Sequence, residues 1–293
     1  MQISEINIYP IKSLKGISVD SAVVEARGLE YDRRWMLTDR AGKFLTQREF
    51  PRMALVSVWI EDGGIGAGAE GFGEAFIPRL PEIRNRQQVT IWDSVCEGEV
   101  HSPVLNEWFS DVIGTDCQLV YMPDDSRRDV NARFNQGSDI VSFADGYPLL
   151  LISEASLADL NERIADAERI AGRLPAFRQL PMNRFRPNLV VSGAEAFAED
   201  DWKTIRVGDA SFRSTKPCAR CVITTIDQVR GEFDGKEPLR TLASYRMAKD
   251  VIPDRFEALG MNETAVLFGQ NLISEGLDQI LMVGDEVKVT ESY

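Results

Sequence analysis

Histidine is nearly missing from this chain, with His101 the single example among 293 residues. Its scarcity excludes His-rich zinc sites, multi-histidine iron sites and a Cys–His nucleophile pair with a choice of partner. Cysteine is sparse too, at four residues. The strand-like Ile6-Asn-Ile-Tyr9 comes almost at once, with no secretory signal before it, so free thiols in a reducing, cytoplasmic setting are expected. No apolar run approaches the ~18 residues of a membrane span, and no membrane role is expected. Net positive charge is also lacking. A formal charge of −13 argues against a nucleic-acid partner, which needs a basic face. Any site for an anionic ligand must then be a local concentration of Arg and Lys inside a negative field. Internal repeats and low-complexity tracts are absent.

What is present is mostly β-forming. The length suits one large or two moderate domains. Short alternating segments at 3–9, 19–26, 35–38, 44–47, 54–60 and 89–92 read as strands, with Asp39-Arg-Ala-Gly42 as a turn between two of them. Many short strands suggest a barrel or sandwich. Gly66-Ala-Gly68-Ala-Glu-Gly71 matches GxGxxG, but the prolines that follow forbid the long helix a dinucleotide site requires. A flexible loop is expected there. Ser102 to Gly114 is the clearest helix, with a Ser cap, Pro103 in the first turn and a closing glycine. Its Val104, Leu105, Trp108, Phe109, Val112 and Ile113 form an apolar face. The polar stretch 123–136 reads as a connection.

The second half adds a helix over 153–171, with Leu157, Leu160, Ile164 and Ala167 inward, and another over 238–248. Residues 280–290 read as a hairpin of closing strands. Arg163, Arg169, Arg173 and Arg178 suit a solvated face. Arg184 and Arg186 differ, because they lead directly into Pro187 and an apolar run. The expected fold class is mostly β with inserted helices (α+β), a barrel-like N-terminal domain over 1–122 packed with a mixed β-barrel over 123–293.

One segment bears chemistry. Lys216-Pro-Cys-Ala-Arg-Cys-Val-Ile-Thr-Thr-Ile-Asp227 sets Cys218 and Cys221 on a turn at the mouth of a strand, with Arg220 between them. A guanidinium beside a thiol favours the thiolate, the form that ligates soft metals. By residue type alone a CxxC is redox-active, metal-binding or inert. One CxxC and one histidine do not readily fill a tetrahedral zinc site, although a site shared across a dimer stays open.

Six ordered motifs span nearly the whole chain: Tyr9-Pro-Ile-Lys-Ser-Leu-Lys-Gly16, Asp32-Arg-Arg-Trp-Met-Leu37, Leu151-Ile-Ser-Glu-Ala-Ser-Leu-Ala-Asp-Leu-Asn161, Arg184-Phe-Arg-Pro-Asn-Leu-Val190, Pro217-Cys-Ala-Arg-Cys-Val-Ile-Thr-Thr225 and Leu267-Phe-Gly-Gln270. Together they resemble proteins with an N-terminal MOSC β-barrel followed by a MOSC domain, the mitochondrial amidoxime-reducing component and its bacterial relatives among them. The resemblance implies a molybdenum–molybdopterin cofactor with Cys221 as the metal's thiolate ligand and catalytic residue. It implies cofactor contacts at Lys12, Ser13, Arg33, Gly146, Tyr147, Arg186, Ala219 and Arg220, and at Asn271, where relatives can carry an aromatic.

The activity implied is reduction of small N-hydroxylated or N-oxide compounds. Some relatives append an iron–sulfur domain, and no cysteine follows Cys221 here. Electrons are therefore expected from a separate ferredoxin- or flavoprotein-type donor. Asp227 is a weak candidate for proton transfer, with an exposed turn carboxylate the blander reading. The competing class is a carrier of the cofactor or its sulfur, with a persulfide on Cys221 or Cys218 and no reductase activity.

Overall fold

The computed structural model describes residues 1–172 and 178–293; Arg173 lies outside them. The largest sheet has eight strands, in the order Ile17–Val19, Gln2–Ile8, Leu189–Ser192, Leu149–Ser153, Leu267–Ser274, Ala210–Ala219, Trp202–Val207, Val287–Ser292. It curls into a half-barrel. Ile3, Ile6 and Ile8 point inward with Leu151, Leu189, Val191, Ile205 and Phe212 to form one core. A register shift between Ile3 and Glu5 breaks the period-2 alternation and returns Ile6 to the face of Ile3. Leu150 and Ile152 point the other way, onto Leu160 and Ile164 of a helix and onto Phe185 and Phe268.

That helix, Glu154–Ile170, is capped by Ser153, whose side chain accepts from the Ser156 amide. It crosses between the parallel neighbours Leu149–Ser153 and Leu189–Ser192, the one parallel pair among the described strands. Residues from both sides of 122/123 build this sheet, because Gln2–Ile8 pairs antiparallel with Leu189–Ser192.

The N-terminal half also forms a four-stranded sheet (Trp35–Thr38, Gln118–Tyr121, Ser94–Val100, Asn85–Ile91) and a three-stranded one (Ser57–Glu61, Gly64–Ala69, Gly73–Pro78), while Ser21–Glu25 and Gly28–Leu29 share another with Ile280–Met282. The helix Pro103–Ile113 runs from its Ser102 cap to Gly114, which stands at φ 78°. Its Leu105, Phe109, Val112 and Ile113 pack with Trp35, Leu37, Ile65 and Ile77. Val104 faces solvent.

Several expectations give way to the tertiary context. The GxGxxG segment is not a loop: Gly64–Ala69 is the central strand of its sheet. A Cβ on Gly66 would lie 2.2 Å from the Trp59 ring, so glycine serves the indole's close approach. Residues 44–47 give an isolated bridge and a turn rather than a strand. Pro51–Leu55 is a 3₁₀ turn, and the strand starts only at Ser57. The helix expected over 238–248 breaks into Leu239–Leu242 and Ala248–Val251, because Met247 bridges Val266. The closing strands are not a hairpin. Ile280–Met282 pairs with Ser21–Glu25, and Val287–Ser292 pairs with Trp202–Val207. Ala167 faces solvent.

His101 is structural. It is 5% exposed, and its Nε2 accepts from Trp35 Nε1 at 3.1 Å. Burial lowers it from 6.5 to about 4. The unfolded chain therefore binds a proton in that window while the folded chain does not, and stability is lost as pH falls from 6.5 toward 4. The loss is on the order of 2–3 kcal/mol. Urea melts at pH 7 and 4.5 check it. His101→Gln, which can still accept from Trp35, should be the less acid-sensitive protein by that amount, and an equal acid loss in both would refute the assignment.

Candidate functional site

A cleft enclosing about 140 Å³ and open to solvent gathers residues from distant parts of the chain. Lys12, Ser13, Arg33, Gly146, Tyr147, Arg186, Arg220, Cys221 and Asn271 all line it, and so does Cys218. Ala219 does not: it is exposed, and it pairs with Leu267 at the ends of two adjacent strands.

The backbone at three of these positions is unusual. Ser13 (φ 67°), Arg33 (φ 51°) and Arg186 (φ 56°) are non-glycine residues in the left-handed region, at a cost of order 1 kcal/mol each. The fold imposes these conformations. The Arg33 amide donates to Tyr9 O at 2.9 Å and its carbonyl accepts from Phe143 N at 2.9 Å, while Arg33 Nη2 reaches Arg186 O at 3.4 Å. Each of the three bends sits in a motif singled out above.

The charges are arranged unequally. Arg33 Nη1 donates to both oxygens of buried Asp32, at 2.9 and 2.7 Å, and to Asn188 Oδ1 at 3.0 Å. Asp32 pairs with the guanidinium, and the Arg33 side chain still lines the cleft. Arg186 lies 4.2 Å from the Tyr9 ring centroid and has no carboxylate partner among the described residues. Burial pushes it down to about 10, and Arg33 adds repulsion. Lys12 contacts Asp145 at 2.5 Å. Burial lowers Lys12 to about 8, against the pull of Asp145. Burial alone would raise Asp145, but Lys12, Arg48 and Trp92 together take it well below the usual carboxylate range. The Asp145 side chain is 61% exposed, so solvent screens this pair.

The two thiols have separate partners. Arg220 Nη1 donates to Cys218 Sγ at 3.0 Å and Nη2 donates to Phe185 O at 2.6 Å. Arg48 Nη2 donates to Cys221 Sγ at 3.0 Å. Arg48 also stacks 4.6 Å from the Trp92 ring centroid, and Trp92 Nε1 donates to Asp145 Oδ1 at 3.2 Å. Sequence reasoning missed Arg48, Asp145 and Asn188. Arg48 stands in a turn with no metal-ligand or phosphate spacing around it, so only the fold brings it to Cys221. Asn271 lines the wall with its amide committed to Lys216 O at 3.1 Å.

Asp227 is not part of the cleft lining. It caps a turn, accepting from Val229 N and Arg230 N, and pairs with Arg184 and Arg230.

An unpaired, partly buried guanidinium is electrostatically incomplete until an anion meets it. Arg220 Nε is likewise buried with no partner. At Gly146 a side chain would project into open space, with nothing within 4 Å, so a ligand can approach the backbone there. Among the described residues no group of three or more His, Cys, Asp or Glu is placed to hold a metal ion.

A curled, mostly β chain whose bends bring cations and two thiols to one cleft has the side chains to meet an anion, with a soft ligand in reach. The comparisons agree on where it belongs. Residues 1–116 match the family described as MOSC N-terminal beta barrel domain, and residues 138–288 match the MOSC domain. The chain is 34% identical over 255 residues to mitochondrial amidoxime-reducing component 1 of Mus musculus, covering 84% of this chain and 71% of that protein. It is 33% identical over 311 residues to molybdenum cofactor sulfurase of Oryza sativa subsp. japonica, covering 98% of this chain and 35% of that protein. The mitochondrial amidoxime-reducing component 1 of Homo sapiens is 30% identical, with 97% and 82% covered. This chain belongs to the MOSC family. No described helix is long and apolar enough to cross a membrane.

Proposed function

We propose that the chain binds a molybdenum–pterin cofactor in this cleft, with the Cys221 thiolate as the protein's ligand to the metal. Its reaction is the reduction of N-hydroxylated or N-oxide compounds with electrons from a separate donor protein. The observation that carries the reading is the convergence of Lys12, Ser13, Arg33, Arg186 and Arg220 around Cys221 in one cleft. The donor set fits the group: Arg186 lines the cleft with no carboxylate partner among the described residues, and charge-assisted bonds from such a guanidinium to phosphate contribute about 1.5–3 kcal/mol each. A single thiolate fits a metal whose other ligands arrive with the cofactor. Similarity to amidoxime-reducing components supports the activity.

When bound, the cofactor would supply the two-electron removal of oxygen from the substrate. The balance is one N–O bond broken, two electrons and two protons consumed, and amine plus water released. The chain's own residues bind and orient. Arg186 and Arg33 hold negative charge, Arg48 fixes the direction of the Cys221 sulfur, and Gly146 keeps the wall open.

One observation favours a second reading. The match to molybdenum cofactor sulfurase covers 98% of this chain, so a carrier of cofactor or sulfur is the competing function. The test is protein purified from a cofactor-producing host, assayed for molybdenum, pterin and reduction of benzamidoxime by reduced viologen dye. Near-stoichiometric molybdenum with amidine formation is expected. A folded protein with neither metal nor pterin would defeat the reading, and loaded protein with a cysteine persulfide but no turnover would establish the carrier.

A further inference from the structure

A second cavity, of about 730 Å³, shares Arg186 with the cleft as a common wall. That is the size of small-molecule sites, which run to roughly 300–1,000 Å³. It lies between the 3₁₀ turn Pro51–Leu55, the bend after Gly64–Ala69 and the loop at Gln228, and nothing proposed above uses it. Lys15, Arg52 and Arg186 face it, against the single carboxylate Glu70. Lys15 and Arg52 form no ion pair among the described residues. Three unpaired cations around one hollow run against a chain of formal charge −13. The remaining wall is mixed, with Asn7, Ser18, Asn183 and Gln228 among its residues, and its apolar part is unusually bare, with Leu55 44% exposed, Phe72 41% and Val229 82%.

We infer that this cavity binds an amphipathic organic anion, a carboxylate or sulfonate carried on an apolar body. Leu55, Phe72 and Val229 remove the body from water, at about 25 cal/mol per Å² of apolar surface buried. The cations take the headgroup. A polyanion would leave the apolar wall uncovered, and a neutral apolar ligand would leave the cations unused. Arg186 faces both volumes, so an anion here competes with one in the cleft for the same guanidinium. On the cofactor reading, occupancy of either site weakens the other by the same factor.

The test titrates the full chain calorimetrically with 1-naphthoate and with neutral 1-naphthamide. Naphthoate should bind saturably, naphthamide roughly tenfold more weakly, and added salt should weaken naphthoate alone. Lys15→Gln combined with Arg52→Gln should weaken naphthoate roughly tenfold, the scale of losing two exposed charge contacts. Both positions are exposed, so the fold should survive, and circular dichroism checks this. Phe72→Ser should weaken both probes. No saturable binding, equal affinity for the two probes, or an unaffected double variant would each overturn the inference. Cys221→Ala should still bind naphthoate, so failure of the cofactor reading leaves this result separable.

Discussion

Cys221→Ala, purified from a cofactor-producing host, should lose its molybdenum, keep most of its pterin, and lose reduction of N-hydroxylated substrates. The separation follows from where the anchors sit. Lys12, Ser13, Arg33 and Arg186 belong to chain segments remote from the CxxC turn, so removing the sulfur leaves their grip on phosphate intact. Turnover should fall by roughly three orders of magnitude or more, the scale of several kcal/mol of transition-state stabilisation. Cys218→Ala should behave differently despite lying three residues away. Its sulfur is held by Arg220, whose other amino group is tied to Phe185 O, whereas the sulfur of Cys221 meets Arg48. Arg48→Met should fall between the two, about 10- to 100-fold down in metal retention, as for other residues that orient a metal's ligand. Metal content by mass spectrometry and pterin fluorescence after oxidation decide the matter. If Cys218→Ala lost the metal and Cys221→Ala kept it, the ligand assignment would be reversed; if both kept it, a thiolate ligand would be excluded.

Much of this cleft was legible through the resemblance rather than through local chemistry: Lys12, Ser13, Arg33 and Arg186 fall inside matched motifs and line one cleft, whereas each cation taken alone reads as a surface charge. Local chemistry did carry the helix Pro103–Ile113, because Ser102 and Gly114 mark its ends. What local chemistry cannot carry is pairing. The strands Ile280–Met282 and Val287–Ser292 read as a hairpin, yet they join different sheets, since each finds more apolar partners elsewhere: Leu281 and Val287 are both in the half-barrel core. Gly66 was misread for the same reason, its cause being a tryptophan on the adjacent strand. Arg48 was invisible because its role depends on Trp92 and Cys221 meeting it in space.

Arg128→Met should destabilise the chain by about 2–4 kcal/mol and loosen the cleft without touching any proposed ligand contact. Arg128 is 4% exposed and has no carboxylate partner among the described residues. Its charge is met by carbonyls: Nη1 donates to Ser142 O at 2.8 Å and Ala144 O at 2.5 Å, and Nη2 donates to Asp145 O at 2.8 Å. Two effects oppose each other in the variant. Methionine removes the desolvation cost of a buried cation, which is favourable. It also strands the Ser142 and Ala144 carbonyls, whose bonds are buried, at about 1–3 kcal/mol each, and frees the part-buried Asp145 carbonyl. The second effect is larger, because three acceptors lose their donor at once and a flexible thioether replaces none of the bonds. The loosened segment matters for the cleft. Phe143 N donates to Arg33 O at 2.9 Å, and Asp145, Gly146 and Tyr147 form one wall. Freed from Arg128, that wall moves against Arg33 and Lys12. Urea denaturation reads the stability, and pterin retained per chain through gel filtration reads the wall. Arg128→Lys, with one donor head in place of a fork, should recover part of both. A variant within about 0.5 kcal/mol of wild type, with full pterin content, would mean that the wall holds its shape unaided and that the carbonyl contacts of Arg128 are incidental.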